Sequence, residues 1–238
     1  LNIQCGHASV AIRHAQELAL ASAGVEPALA AEAWLMLARA HVPTMGHAQI
    51  LEAAAAARSL VPHDPEITTL ADAYACRALV FAERPREALA LAIALEGRSE
   101  SLSPVARRQV EIQRGAVFNN LGRTRRAYDA FVRSQERTLL STDQLSQRVR
   151  LARGSLFALD LGRLVEAREM LEQLGPRVVT SPEMLAFHAM NSFRYHSAMG
   201  DVAACETDSA TMLRAVAASG SEYWAAWTRT PAHYLGLL

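Results

Sequence analysis

Eight histidines and three cysteines are the side chains of this sequence best suited to holding a metal or attacking a substrate, and their spacing argues against both. His188 and His196 lie eight residues apart in one helical stretch. That is a rise of about 12 Å, too long for both rings to reach one ion from a straight helix. His41 and His47 flank a turn containing Pro43-Thr44-Met45-Gly46, and no HExxH pair occurs. Cys5, Cys76 and Cys205 are 71 and 129 residues apart with no CxxC pairing. An odd count at such distances predicts free thiols in a reducing, cytoplasmic setting, and Cys205 reads as a packed structural thiol. There is no GxSxG elbow for a nucleophilic serine. All 24 basic residues are arginine. A chain without lysine has no P-loop lysine and no Schiff-base lysine, and its glycines are isolated, with no GxGxxG. These residues predict a chain that is not an enzyme and carries no metal and no cofactor.

The elements that would position any site must therefore be helices. Of 238 residues, 46 are Ala, the strongest helix former, against 9 Pro and 12 Gly. The chain is 51% hydrophobic and 20% charged, with zero net charge. The charge is uneven. Residues 101–170 carry 13 Arg against 7 acids, and the remainder 11 Arg against 17 acids. Such a basic middle could draw an anionic partner, but an Arg-rich solvated helix face accounts for it more simply. No helix-turn-helix signal is present and the arginines lack interleaved aromatics beyond Phe118, Tyr128 and Phe131, so no direct nucleic-acid contact is expected. The longest uncharged apolar run, Ala88–Leu95, is far short of the ~20 residues of a membrane span. No charged-then-apolar leader opens the sequence.

Internal repetition organises the chain. A small residue opens an amphipathic segment at Ala48, Ala88, Ala127, Ala167 and Cys205, with separations of 40, 39, 40 and 38 residues. Gly122, Gly162 and Gly200 each stand five residues before one of these. Pro43 and Glu83 hold the equivalent positions in the first two segments, and Gly-His-Ala recurs at 6–8 and 46–48. Each period predicts two helices. First helices are expected at 28–41, 67–82, 104–121, 144–161 and 183–199, with a truncated one at 222–238. Second helices are expected at 8–22, 47–60, 86–96, 124–138, 164–174 and 201–218. Apolar residues recur at three- and four-residue steps, as in Val110, Ala116, Val117 and Leu121, or Val165, Met170, Leu171 and Leu174. The three glycines fit left-handed helix ends. Pro65, Pro104 and Thr180-Ser181-Pro182-Glu183 fit helix starts. A small residue five after the turn lets paired backbones approach closely, with Phe118, Tyr128 and Phe131 filling the opposite side.

Gly115, Phe118, Gly122, Ala127 and Phe131 together resemble the small-aromatic-Gly-Ala-aromatic spacing of tetratricopeptide-like repeats. The next unit keeps Gly162, Ala167 and Leu171 with Ser155 and Ala158 elsewhere in the pattern, and the one after keeps Gly200 and Cys205. The period is near 40 rather than the family's 34. In that length the chain is similar to the superhelical sensor segment of large LuxR-class, ATP-dependent bacterial transcription activators of the maltose-regulator type. The resemblance implies an all-α, right-handed α-solenoid forming one domain over 1–238, in units of about 1–22, 28–60, 67–96, 104–138, 144–174 and 183–218, with half a unit at 222–238. It also implies a concave groove lined by first helices, with Arg77, Gln109, Asn119, Asn120, Asp160 and Arg194 as groove positions among the small residues Ala33, Ala73, Ala116 and Ala152. The partner would be a protein segment or a small-molecule inducer, bound as the sensing part of a transcriptional regulator. The alternative is a stand-alone scaffold or dimerisation module. Arg123, Arg125 and Arg126 read as a solvated turn.

A solenoid must close its core with polar ends. Here the last half unit is strongly apolar, with Trp224, Trp227 and Tyr234 on it. The expectation is a piece of a longer chain that also associates end to end, as a homodimer, through those residues.

Overall fold

The computed structural model describes residues 8–42, 46–135, 144–178 and 182–220. Among these residues there are eleven α-helices and no strand. They are α1 (Ala8–Ser22), α2 (Pro27–His41), α3 (His47–Leu60), α4 (Pro65–Phe81), α5 (Pro85–Ser99) and α6 (Pro104–Asn120). There follow α7 (Thr124–Gln135), α8 (Gln144–Asp160), α9 (Leu164–Val178), α10 (Pro182–Met199) and α11 (Val202–Ser219). All of them coincide with helices expected from the repeat. The extension of α9 beyond 174 passes through Gly175, whose backbone (φ 45°, ψ 156°) is not helical, so the regular helix ends there.

The starts are built as the sequence implies. Pro occupies the first turn of α2, α4, α5 and α6, where its missing N–H costs nothing. The Asp64 carboxylate accepts from the amides of Glu66 (2.8 Å) and Ile67 (3.0 Å). Ser103 caps α6 through the Ala106 amide (3.3 Å) and Asp201 caps α11 through the Ala204 amide (3.0 Å). The Ser103 hydroxyl also donates to Glu66 (2.9 Å), tying the start of α6 to the start of α4.

The turn between paired helices is one structure used repeatedly. Gly122, Gly162 and Gly200 have φ of 68°, 71° and 74°. The amide after each donates to the carbonyl five residues back: Arg123 to Phe118 (2.7 Å), Arg163 to Ala158 (2.8 Å), Asp201 to His196 (2.9 Å). Together with the i→i−3 bonds of the glycine amides, this is the Schellman ending. Glu83 makes the same turn at φ 58°, with Arg84 donating to Leu79 (2.9 Å). A side chain with Cβ is strained there, by roughly 1–2 kcal/mol. Glu83→Gly relieves that strain but loosens the unfolded chain. The expected net gain is about 0.5–1 kcal/mol in unfolding free energy, read as a higher urea midpoint; a loss of stability would mean that the Glu83 side chain holds the turn.

The described residues fall into two compact units, divided between 137 and 138. In the first, α2 packs on α3, α4 on α5, and α6 on α7, while the first helices α2, α4 and α6 lie side by side. Its core is alanine-rich, with Leu35, Ile50, Ile67 and Tyr74 set among Ala31, Ala38, Ala53, Ala57, Ala71 and Ala78. In the second, α8 packs on α9 and α10 on α11, with α10 against both α8 and α9. Leu151, Ala152 and Leu174 form one part of its core, Ala189, Met190 and Met212 another.

Two expectations fail. Ala48 is exposed, and Ile50 is fully buried on α3 instead. The Gly46 amide donates to the His41 carbonyl five residues back (3.2 Å) and the Ile50 amide to the Gly46 carbonyl (2.9 Å), as Arg84 does to Leu79 and Ala88 to Arg84, so Ile50 is the counterpart of Ala88 and the first repeat spans 38 residues rather than 40. Val165, assigned to the core face of α9, is 66% exposed. It sits in the first turn of that helix, N-terminal to the first buried position, Ala167.

Candidate functional site

In the first unit, the groove positions lie on the layer of first helices. Arg77 of α4 is half-buried and donates from Nη1 to Oε1 of Gln113 on α6 at 3.2 Å. Gln109 and Asn119 of α6 are half-buried, Asn120 is exposed, and none of the three makes a side-chain hydrogen bond among the described residues. In the second unit, Asp160 of α8 pairs with Arg194 of α10. Asn191, buried beside them in sequence, donates to the Ala152 carbonyl (2.8 Å) and the Ser155 hydroxyl (3.1 Å). Three of the six residues thus join consecutive first helices. Ala33, Ala73 and Ala152 are fully buried. They set the spacing between helices and widen no open surface; Ala116 alone of the four is half-buried. Trp224, Trp227 and Tyr234 lie outside the described residues.

Charged residues that the sequence pattern hid sit beneath this layer. Asp72 on α4 and Glu111 on α6 are buried, 39 residues apart. Asp72 accepts from Arg98 of α5 (2.6 Å) and pairs with Arg58 of α3. Glu111 accepts from Arg114 (2.6 Å), from the Ser99 hydroxyl (3.1 Å) and from Arg133 of α7 (3.2 Å). Arg114 is fully buried. Its Nε donates to the Ala92 carbonyl (2.8 Å), and its guanidinium lies 5.6 Å from the Phe118 ring centre. Each carboxylate is thereby held between the second helices on either side of it. The signal was available: Arg114 stands four after Val110 and three and four before Val117 and Phe118, on the apolar face of α6.

The second unit also contains a cleft of about 370 Å³ between α9 and α10. It is lined by Arg168, Leu171, Glu172 and Gly175 from α9 and by His188, Ser192, Tyr195 and His196 from α10. Spacing of four places 188, 192 and 196 on one face, and the break at Gly175 ends the facing helix beside them. His188 is 9% exposed and its Nδ1 is buried without a hydrogen-bond partner. Burial holds its pKa below the ordinary histidine value, so the ring is neutral near pH 7. His196 is held by Asp208 of α11, Nδ1 to Oδ2 at 2.7 Å, and its ring meets the edge of Tyr195 at 5.3 Å. Burial pushes the Asp208 carboxyl up while His196 pulls it down. Ser192 makes no hydrogen bond to His196 among the described residues, so the imidazole–carboxylate pair has no hydroxyl to activate. Nor do the described residues contain three metal-ligating side chains close enough to hold an ion.

A pH dependence follows from His188. A pKa lowered by folding contributes stability that is present above the unfolded value of about 6.5 and is lost as pH falls through the folded one. His188→Gln is therefore expected to flatten the decline in thermal stability below pH 6.5. An unchanged decline would assign it to other groups.

Cys76 and Cys205 are free and buried. Their thiols point at the paired helix, Cys76 to the Ala88 carbonyl (3.5 Å) and Cys205 to that of Phe193 (3.7 Å). Burial pushes Cys76 up to about 12 and raises Cys205 as well, which removes the thiolate needed for nucleophilic work.

Helix pairs joined by a recurring Schellman turn, with small residues at the pair contact, define an all-α, tetratricopeptide-like solenoid. Solved structures agree. The chain is similar to BtubC (BKLC) from P. vanneervenii, with a TM-score of 0.60 at 16% identity over 91% of each chain. It is also similar to PilW, a widely conserved type IV pilus biogenesis factor, with a TM-score of 0.55 at 20% identity, covering 89% of this chain and 91% of that one. No protein-family model and no curated protein matches the sequence. No helix among the described residues is long and apolar enough to cross a membrane.

Proposed function

We propose that this chain is a non-catalytic protein-binding scaffold that receives a segment of a partner protein on the layer of first helices α2, α4 and α6 in its first unit. The observation that carries this reading is the run of half-exposed polar side chains on those helices. Arg77 holds α4 to α6, while Gln109, Asn119 and Asn120 keep their hydrogen-bonding groups for a ligand. Backbone N–H and C=O groups of an extended peptide are the partners an amide side chain suits best. PilW, a pilus biogenesis factor, fits a role in assembly. The narrower reading, a sensor segment of a LuxR-class activator answering to an inducer, has only the forty-residue period in its support and ranks second. Two free, buried thiols support a reducing compartment.

The test is a binding screen of the chain against arrayed extended peptides, with saturable hits measured by fluorescence anisotropy. The combined variant Gln109→Ala, Asn119→Ala, Asn120→Ala should retain its fold, because these side chains hold no helix in place, and should weaken the hits about tenfold or more. Hits untouched by the variant, or no hit from a folded chain, would overturn the reading.

A further inference from the structure

We propose that the partner segment carries a pair of acidic side chains, two residues apart, and docks them on Arg39 of α2 and Arg77 of α4. The inference rests on the protein-binding reading and names the chemistry that the partner must present to the first unit.

Position comes first. Arg39 and Arg77 each stand twelve residues after the proline that opens their helix, Pro27 in α2 and Pro65 in α4. They are one position of the repeat used twice in succession, and α2 packs beside α4. Both side chains are half-buried. Tyr74, one turn earlier on α4, is buried. Burial pushes its phenol up while Arg39 and Arg77 both pull it down, so the two guanidinium groups lie near the same ring. Arg77 is anchored to Gln113 of α6. Arg39 makes no side-chain hydrogen bond and no ion pair among the described residues.

Charge comes next. The acids of the three first helices are Glu32, Glu66, Asp72 and Glu111. Asp72 is held by Arg58 and Arg98, Glu111 by Arg114 and Arg133, and Glu66 takes the Ser103 hydroxyl. Glu32 is exposed and lies seven residues before Arg39, about 10 Å along the helix. Arg108 of α6 adds a further half-buried guanidinium, its Nε without a hydrogen-bond partner. No acid of the layer is placed to neutralise Arg39 or Arg108, which leaves that role to the guest.

The guest follows from the fork and the spacing. A carboxylate offers two oxygens in the plane that a guanidinium fork requires. Packed helices lie about 8–10 Å apart. In an extended segment the side chains of one face recur every two residues, about 7 Å, and the long arms of Glu and Arg cover the difference. Glu-x-Glu thus gives each guanidinium one carboxylate. The same segment has Gln109, Asn119 and Asn120 beside it on α6, within the same compact unit.

The experiment titrates the full chain with three labelled peptides built on one Gly-Ser host, followed by fluorescence anisotropy. The first carries Glu-x-Glu and an amidated C-terminus, the second Gln-x-Gln and the same amide, the third Gln-x-Gln and a free C-terminal carboxylate. The expected result is saturable binding of the first, about tenfold or more tighter than the second and third, and weakening as salt is raised. Arg39→Gln should remove about tenfold of that affinity. Arg125→Gln, exposed in the first turn of α7, should leave it unchanged. Arg39 holds no helix in place, so its variant keeps the fold, and the comparison of peptides needs no variant. Equal binding of the first two peptides would overturn the proposal. So would equal weakening by Arg39→Gln and Arg125→Gln, which would assign the binding to net charge alone. A third peptide as tight as the first would overturn it as well, putting a chain end on the arginines. Array peptides that lose affinity in the Gln109, Asn119, Asn120 variant but not in Arg39→Gln sink the acidic pair and leave the scaffold standing. No binding by any peptide, from a folded chain, overturns both readings.

Discussion

Glu111→Leu is expected to destabilise the first unit by about 3–5 kcal/mol, the range for removing one partner of a buried ion pair. The Glu111 carboxylate accepts from Arg114, Ser99 and Arg133, and both it and Arg114 are shut off from solvent. Without it, the Arg114 guanidinium stays buried with the Ala92 carbonyl and the outlying Glu96, 3.1 Å away. Glu96 and Arg133 are both partly solvated, and such a pair contributes only about 0–1 kcal/mol, too little to compensate. Most of that loss is avoided when both charges go. Glu111→Leu with Arg114→Met replaces the pair by apolar side chains of similar length, which buried ion pairs elsewhere tolerate at little cost. Urea unfolding followed by circular dichroism should show the single variant far below the double. A single variant within about 1 kcal/mol of the parent would mean that water reaches the cluster. A double variant as damaged as the single would mean that the bond from Arg114 to the Ala92 carbonyl, between α6 and α5, matters more than the charges.

The sequence exposed the helix pairs because their punctuation is chemical. Gly122, Gly162 and Gly200 stand where a left-handed residue is required, and Pro65 and Pro104 where an amide is dispensable. Glu83 shows the limit: the turn forms there without glycine, and only the surrounding register predicts it. The forty-residue coincidence of Gly-His-Ala at 6–8 and 46–48 misled for a related reason. It marks a sequence distance, whereas the helix register is set by the bond from the amide of Gly46 to the carbonyl of His41, which puts Ile50 and not Ala48 at the buried position. Charges in the core were harder still. Periodicity counts an arginine as solvated, yet Arg114 is buried because two carboxylates and a carbonyl lie within its reach, and of these only Glu111 is local, while Glu96 and the Ala92 carbonyl come from α5. Of the candidate site, the sequence supplied the face but not the pairing. It placed Arg77, Asp160 and Arg194 on first helices, and the structure adds that each already has a neighbour there. The rise from His188 to His196 speaks only to a shared ion, while the cleft beside them depends on the break at Gly175 in the helix opposite.

Ala127→Phe and Ala167→Phe are each expected to cost about 1–3 kcal/mol through overpacking, and Ala48→Phe no more than about 0.5 kcal/mol. The contrast follows from a spacing repeated along the chain. Twelve residues before the small position lies the point where the first helix meets the second. There the Cys76 thiol reaches the Ala88 carbonyl at 3.5 Å, and the Cys205 thiol reaches the Phe193 carbonyl at 3.7 Å. At Gly115 an added Cβ would lie 3.5 Å from the Ala127 carbonyl and 3.7 Å from the Ala130 Cβ. The two helices are therefore in contact through backbone and methyl groups, with no flexible side chain between them to give way. Ala127 and Ala167 are fully buried, and a phenyl ring at either forces its own helix off the partner. Because 127 and 167 belong to different compact units, each variant should lower one unfolding step, and the pair together should be additive. Exposed Ala48 serves as the control for the ring itself. Three variants equally stable would show that the pair contact carries no packing constraint. Equal loss at all three would place Ala48 at the buried position after all, in the forty-residue register that the repeat in the sequence suggested.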